Sequence, residues 1–245
     1  MKQKNIAICY FVYDNEVNFL SESLRCLELI IDRHPEYNIQ TFVIGDIPKI
    51  KFRHPIIFIK NKLQKNTKYE QFNDIFLQLK KLQDIFQYDF LIKVDGLTCI
   101  NSLDYFYILE ENLKFLGIDY SSLSYFTNFI AKDYPCPFWQ NFTKNGINII
   151  YDICQLANTE KYKDIKSFIN SEYPESVIIN VLLKKSLTLV INTDNIFNLK
   201  GCCNPFIKMV ENYLEYSAIS FRDISKQPNL ELSFKEMLNH INSLL

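Results

Sequence analysis

Two short apolar segments of the chain each end directly at acidic residues. Residues 6–12 read IAICYFV and are followed by a polar cluster that begins at Asp14, and residues 90–94 read FLIKV and are followed by Asp95. A continuous apolar run of this length is typical of a strand that is buried on both faces. We expect the two segments to form neighbouring or near-neighbouring strands at the centre of one sheet.

Helical periodicity appears between the strand-like segments. Apolar residues recur at helical spacing over residues 17–31. A second helix should begin at Thr67, because the sequence TKYE that starts there has the form of a capping box. Short apolar runs at residues 39–44 and 55–59 predict two further strands. This order of elements predicts an α/β fold with a central, mainly parallel sheet flanked by helices.

The carboxyl ends of the first and fourth predicted strands are the expected place for a ligand. Open sheets of parallel strands bind ligands in the crevice outside the carboxyl ends of their strands. Asp14 and Asp95 both follow such strand ends, so we expect both carboxylates to lie at the same edge of the sheet.

The second half of the chain gives weaker signals. Asn101 or Ser102 could cap a helix that reaches to about residue 115, and Ser171 could cap another. Residues 119–142 show few regular patterns, and we expect them to form loops over the site. Residues 187–191 predict a strand, and one or two helices should follow it. Because no linker rich in Pro, Gly or Ser divides the 245 residues, we expect one domain.

Composition narrows the classes of function. The 27 basic and 28 acidic residues give a formal net charge of -1, which is not typical of nucleic-acid-binding proteins, so we expect no nucleic-acid partner. The seven scattered cysteines include no Cys-x-x-Cys pair, which favours reduced thiols and a cytoplasmic location over a disulfide framework. The N-terminal apolar run is too short for a membrane span and lacks a cleavage site for secretion.

The segment YDFLIKVDGLTCIN, residues 88–101, is the most informative one. It resembles the region around the Asp-x-Asp motif of GT-A glycosyltransferases, particularly those of the β-1,3-galactosyltransferase and Fringe-like group. The matching residues are Lys93, Asp95, Thr98 and Asn101. The preceding amphipathic helix and the sequence IDYSS at residues 118–122 extend the resemblance over residues 69–122.

The resemblance implies a nucleotide-sugar donor, most simply one linked to UDP, bound by residues 1–122, with the acceptor side in residues 123–245. In such enzymes a divalent cation held by carboxylates, Mn²⁺ or Mg²⁺, usually stabilises the departing diphosphate. By this analogy Asp95 would contact the metal or the donor ribose. The other donor-side candidates are Tyr10, Val12, Asp14 and Lys93. Two purely structural interpretations stay open, namely that Asp95 caps an Asp-Gly turn and that Lys93 is a buried, partnered lysine.

The chain departs from the family pattern where a metal would bind. Gly96 and Leu97 occupy the positions of the second and third acidic residues of the motif, so this segment offers only one carboxylate. Asn101, Asp119 or Asp194 could complete a metal site only if the fold brought them close to Asp95. The metal requirement is therefore left open by the sequence.

The segment SEYPESVIINVLLKK, residues 171–185, resembles the Glu-Asp-Val segment of the same family, which supplies the catalytic base. Glu175 and Val177 match it, whereas Ser176 replaces an acidic residue. A helix N-terminus would keep Glu175 or Glu172 ionised, as a base for the acceptor hydroxyl requires. The alternative is that these carboxylates only cap the helix.

Residues 137–151 occupy the place of the acceptor-side loop of the family, which makes Trp139 and Gly146 candidates for contact with the acceptor. Trp139 is the only tryptophan and could stack on a sugar ring, although packing in the core is an equally good explanation.

The resemblance thus implies a glycosyltransferase of inverting, hexosyl-transferring type with a glycan or lipid-linked acceptor, which could associate peripherally with the inner face of a membrane. The alternative is a catalytically degenerate protein of the same fold that binds a nucleotide-sugar or a glycan without turnover. A nucleotidyltransferase ranks last, because no glycine-rich phosphate loop follows the first strand.

Overall fold

The computed structural model describes residues 3–13, 16–47, 50–63, 65–100, 102–103, 118–126, 135–171, 187–191, 200–203 and 216–220. The strands are β1 Lys4–Phe11, β2 Tyr37–Gly45, β3 Ile56–Lys60, β4 Phe90–Asp95, β5 Thr98–Ile100, β6 Ile118–Phe126, β7 Pro135–Phe142, β8 Leu187–Ile191, β9 Lys200–Cys203 and β10 Tyr216–Ser220. The helices are α1 Val17–Arg33, α2 Lys68–Ile85, α3 Lys144–Leu156 and α4 Lys163–Ser171, with a short 3-10 helix at Glu160–Tyr162.

The described strands form one mixed, mainly parallel sheet in the order β3-β2-β1-β4-β7-β6-β9-β10-β5, with β8 paired to β6. Strand β1 lies between β2 and β4 and is parallel to both. The register places Phe11 beside Asp95, so the carboxyl ends of β1 and β4 are level. The predicted adjacency of the two apolar segments and the predicted fold class are confirmed.

The prediction of loops over residues 119–142 is wrong for most of that stretch. Strands β6 and β7 run through it and pair antiparallel, and β7 also pairs antiparallel with β4. Each of these strands has partners on both sides, and such long-range pairing stabilises a segment whose own sequence shows no regular alternation. The register of β6 and β7 also shifts between Ser122 and Ser124, which breaks the period-two pattern.

The predicted capping box at the start of α2 is present. The Thr67 hydroxyl accepts a hydrogen bond from the Glu70 amide, and the Glu70 carboxylate accepts one from the Thr67 amide. Two of the unpaired backbone donors at the helix N-terminus are thereby satisfied. This cap fixes the start of the helix that covers one face of the sheet.

Two apolar layers cover the two faces of the sheet. The layer under α1 contains Leu20, Leu24, Leu27 and Ile30 of the helix, and Ile6, Ile8, Tyr10, Val12, Ile92, Val94 and Trp139 of the strands. The layer under α2 and α3 contains Phe72, Phe76, Leu79, Leu82, Ile147 and Ile150 of the helices, and Ala7, Cys9, Phe11, Leu91 and Phe142 of the strands. Alternate strand residues therefore serve opposite layers.

The described side chains include four free, buried cysteines, Cys9, Cys26, Cys99 and Cys154. None of the helices in the described ranges is both long enough and apolar enough to span a membrane. The helix predicted from Asn101 or Ser102, the helix predicted after Ser171 and the terminal helices lie outside the described residues. Ser171 itself is the last residue of α4.

Candidate functional site

The carboxyl ends of β1 and β4 meet in a tight backbone junction. The Gly96 amide donates to the Phe11 carbonyl at 2.9 Å, which continues the pairing of the two strands by one residue. The Ser23 hydroxyl of α1 donates to the Gly96 carbonyl, also at 2.9 Å. The turn after β4 is thus held by both β1 and α1, and the side chains around it are held in place.

Lys93 and Asp95 form an ion pair on the face of the sheet that α2 and α3 cover. The Lys93 Nζ lies 3.0 Å from Oδ1 of Asp95, and the two side chains are 10% and 20% exposed. The ammonium also lies 5.9 Å from the centre of the Phe11 ring. Lys93 is thus a buried, partnered lysine, as one of the two alternatives expects, and its contact with the donor stays a prediction.

Glu16, which precedes α1, is a buried carboxyl group beside this pair. It is 8% exposed, and its Oε2 accepts a hydrogen bond from the Tyr13 amide at 3.1 Å. Burial, together with the negative charge of Asp95, raises the pKa of Glu16 to about 8. At neutral pH Glu16 is mostly protonated, so it adds little negative charge to the Lys93–Asp95 pair.

Tyr13 connects this cluster to α2. Its hydroxyl accepts a hydrogen bond from Nε2 of Gln71 at 2.5 Å. Burial raises the pKa of Tyr13, and the charge of Asp95 adds to the effect. Tyr13 is therefore a neutral phenol that is held between the end of β1 and the first turns of α2.

Gln140 of β7 lies next to Lys93 in the register of β4 and β7. The residue is 2% exposed, and its Nε2 makes no hydrogen bond among the described residues. A buried polar atom without a partner costs roughly 1 to 3 kcal/mol, and so points to a water or ligand atom that completes the site. No sequence pattern singles out Gln140, because residues 119–142 show no regular alternation.

The described residues around Asp95 do not fit a divalent cation. Gly96 and the buried Leu97 provide no ligand, and a Cβ on Gly96 would lie 3.0 Å from Oε2 of Glu16. The Asp95 carboxylate is already neutralised by Lys93, whose ammonium would repel a cation on the same group. Within the described ranges, no three His, Cys, Asp or Glu side chains come close enough to hold a metal ion together.

Asp119, a candidate to complete a metal site, lies at the opposite end of β4. Tyr120 pairs with Phe142, and Phe142 pairs with Leu91, so Asp119 is level with the start of β4. At about 3.3 Å per residue this end is roughly 16 Å from Asp95. Asp119 instead accepts hydrogen bonds from the Thr143 hydroxyl at 2.6 Å and the Asn145 amide at 2.7 Å.

Gly146 lies at that opposite end with Asp119. A Cβ at this position would lie 2.3 Å from the Asp119 carbonyl oxygen, so only glycine allows the first turn of α3 to approach β6 this closely. The structure therefore does not bring Gly146 together with Asp95, and the geometry gives it a packing role.

Three further candidates lie in the layer under α1. Trp139 is 0% exposed, and its indole N–H donates to Oδ1 of Asn141 at 3.1 Å. The side chains of Tyr10 and Val12 are also buried in this layer. Core packing, the alternative for Trp139, agrees with this placement. Of the other candidates, Asp14, Asn101, Glu172, Glu175 and Asp194 lie outside the described residues.

The whole described fold resembles solved glycosyltransferase structures. A glycosyltransferase involved in the glycosylation of the major capsid of PBCV-1 superposes with a TM-score of 0.57 at 10% sequence identity, over 97% of this chain and 98% of that chain. The galactosyltransferase LgtC, in complex with donor and acceptor sugar analogues, superposes with a TM-score of 0.52 at 13% identity, over 98% of this chain and 96% of that chain. No protein-family model and no curated protein matches the sequence.

These likenesses show the GT-A-like fold of the chain. Because the identities are 10% and 13%, they say nothing about individual side chains. The narrower resemblance to the β-1,3-galactosyltransferase and Fringe-like group stays a prediction.

Proposed function

We propose that the chain is a glycosyltransferase that moves a sugar from a nucleotide-sugar donor, most simply a UDP-sugar, to a glycan or glycolipid acceptor. The observation that carries the proposal is the polar cluster of Tyr13, Glu16, Lys93 and Asp95 at the carboxyl ends of β1 and β4, in a fold that resembles those of glycosyltransferases. Open α/β sheets bind ligands at such strand ends.

In the proposed reaction the acceptor oxygen forms a bond to the anomeric carbon of the donor sugar. The bond between that carbon and the diphosphate oxygen breaks, and the diphosphate keeps the electron pair. The acceptor hydroxyl loses its proton to a carboxylate base, for which Glu175 is the first candidate and Glu172 the second. Attack from the side opposite the leaving group would invert the configuration at the anomeric carbon.

The experiment that tests this function is a donor screen. Thermal unfolding of the chain is measured with UDP-, GDP-, CMP- and TDP-linked sugars, in the presence of either EDTA or Mn²⁺. We expect one class of nucleotide-sugar to raise the melting temperature, since a ligand that binds only the folded state stabilises it. If none of them does so under either condition, the proposed donor chemistry is wrong.

A catalytically degenerate binding protein is the second candidate. Gly96 and Leu97 favour it, since they remove two carboxylates of the family motif and since Glu16 and Val12 fill the space around Gly96. The two candidates differ in turnover. The expected result for an enzyme is release of nucleoside diphosphate when the stabilising donor is incubated with a mixture of glycan acceptors, whereas a binding protein would be stabilised without any release.

A further inference from the structure

A side chain of the protein itself, Lys93, provides a positive charge near the end of β4. The Lys93 ammonium lies 3.0 Å from Asp95, and the two side chains are largely buried, so the charge is fixed in place. An ammonium carries three N–H groups and can donate to Asp95 and to a second anionic oxygen at the same time. A group of this kind can bind the oxygens of a diphosphate.

A second hydrogen-bond donor lies beside it. Gln140 and Lys93 are directly opposite each other on β7 and β4, and side chains of such pairs have Cβ atoms roughly 4.5 to 5.5 Å apart on the same face of a sheet. The Gln140 Nε2 is buried and has no partner among the described residues. An amide N–H₂ group is a donor and does not coordinate metal cations, so the pair is suited to an anion.

The carboxylates beside these donors add little repulsion. Asp95 is neutralised by Lys93, and the Glu16 carboxyl group is mostly protonated at neutral pH. The part of the site that the structure describes therefore has no excess negative charge, which a metal cation would need and which a diphosphate would avoid. The same residues that do not fit a divalent cation fit the anion itself.

We infer that this site binds the diphosphate of its donor without a divalent cation, and that the Lys93 ammonium supplies the positive charge that a metal supplies elsewhere. The inference rests on the proposed function. As the bond to the anomeric carbon breaks and the electron pair stays on the diphosphate oxygen, Lys93 stabilises the charge by donating a hydrogen bond. Gln140 donates a second hydrogen bond to the same group.

The first test uses the unaltered chain and UDP, the nucleoside diphosphate that a UDP-sugar releases. Binding is measured by isothermal titration calorimetry in EDTA, in Mg²⁺ and in Mn²⁺. We expect dissociation constants that agree within about threefold in all three buffers. Binding that weakens more than tenfold when EDTA replaces Mn²⁺ or Mg²⁺ overturns the inference.

The second test compares lysines at the two ends of β4. Lys93→Met should weaken UDP binding at least tenfold in EDTA, and Lys93→Arg should restore part of the loss because it keeps the charge. Lys144, whose Nζ donates to Gln87 at the opposite end of the sheet, supplies the control Lys144→Met, which should bind UDP like the parent. A folded Lys93→Met variant with parental affinity contradicts the inference, and the EDTA comparison decides if that variant does not fold.

Different results would reject the metal-free role of Lys93 and the proposed glycosyltransferase function. Metal-dependent UDP binding removes the role of Lys93 and leaves the proposed glycosyltransferase function standing. The absence of binding by UDP, GDP and TDP, with and without metal, rejects the proposed donor chemistry, and the inference with it.

Discussion

The two faces of the sheet differ at the carboxyl ends of β1 and β4. On the face under α1 the residues remain apolar to the strand ends, with Val12 and Val94 both buried. On the face under α2 and α3, Phe11 keeps β1 apolar to its end, but apolar packing on β4 stops at Leu91, and the next two residues of β4 on that face are Lys93 and Asp95. Burying charged groups contributes little to stability, even when they are paired. The two faces therefore differ in kind: one is a structural face, and the other carries the charged residues at which we propose that the donor binds.

The largest expected effect belongs to the structural face. Trp139→Ala should lower the free energy of unfolding by roughly 3 to 5 kcal/mol, because a fully buried aromatic side chain leaves a cavity. The affinity for UDP, measured on the folded fraction at low temperature, should not change. Urea denaturation measures the loss of stability, and calorimetry measures the affinity for UDP. A stable variant that has lost UDP affinity would place Trp139 in the site and contradict a purely structural role for the face under α1.

Glu16, at the border of the two faces, should make the stability depend on pH. Its pKa is about 8 in the folded chain and about 4.3 for an exposed Glu, so the folded state retains a proton that the unfolded state has lost. The contribution of Glu16 to the free energy of unfolding is fully present below about pH 4 and is lost as the pH rises through 8.

Urea denaturation of the parent and of Glu16→Gln at pH 5 and pH 8 measures this contribution. Between the two pH values the parent should lose on the order of 3 kcal/mol more than the variant does. Equal losses would mean that Glu16 is exposed or ionised in the folded chain.

Asp95→Ala should reduce the affinity for the donor by about 2 to 3 kcal/mol, because it removes the carboxylate that holds the Lys93 ammonium in position at the end of β4. Asp89→Ala is the matched control, since Asp89 lies just before the same strand and its Oδ2 accepts a hydrogen bond from the Asn5 amide at 3.0 Å. Titration with the donor identified in the screen compares the two variants. Equal affinities in parent, variant and control would mean that the donor does not bind at Asp95.

The smallest effect is expected for Gln140→Leu. Loss of one hydrogen bond to the diphosphate should weaken UDP binding by roughly 1 to 2 kcal/mol, or about tenfold. Stability should stay the same or rise slightly, because the variant removes a buried amide that has no protein partner. Calorimetry and thermal unfolding check both statements. A loss of stability with unchanged affinity would make Gln140 a structural residue.

The sequence predicted the parts of this arrangement that depend on local signals. The apolar runs that became β1 and β4 and the cap of α2 are readable from neighbouring residues. The same holds for the position of Asp95 at a strand end, since a buried strand that stops at an acidic residue is a local pattern.

The parts that depend on distant contacts were not predictable. Strand β7 forms through its pairing with β4 and β6, and Gln140 lies at the candidate site only because β7 lies beside β4. Glu16 belonged to a polar cluster in the sequence, but its burial arises from the turn at Gly96, a distant part of the chain. The local sequence around these residues does not specify such contacts.

The most direct test of metal-free diphosphate binding at Lys93 is a crystal structure of the chain with UDP, grown in the presence of EDTA and again in the presence of Mn²⁺. We predict that the diphosphate lies at the carboxyl ends of β1 and β4 in both crystals, with oxygens within hydrogen-bonding distance of Lys93 Nζ and Gln140 Nε2. A diphosphate elsewhere on the chain would contradict the assignment of the site. A Mn²⁺ ion coordinated by Asp95 would contradict the role of Lys93.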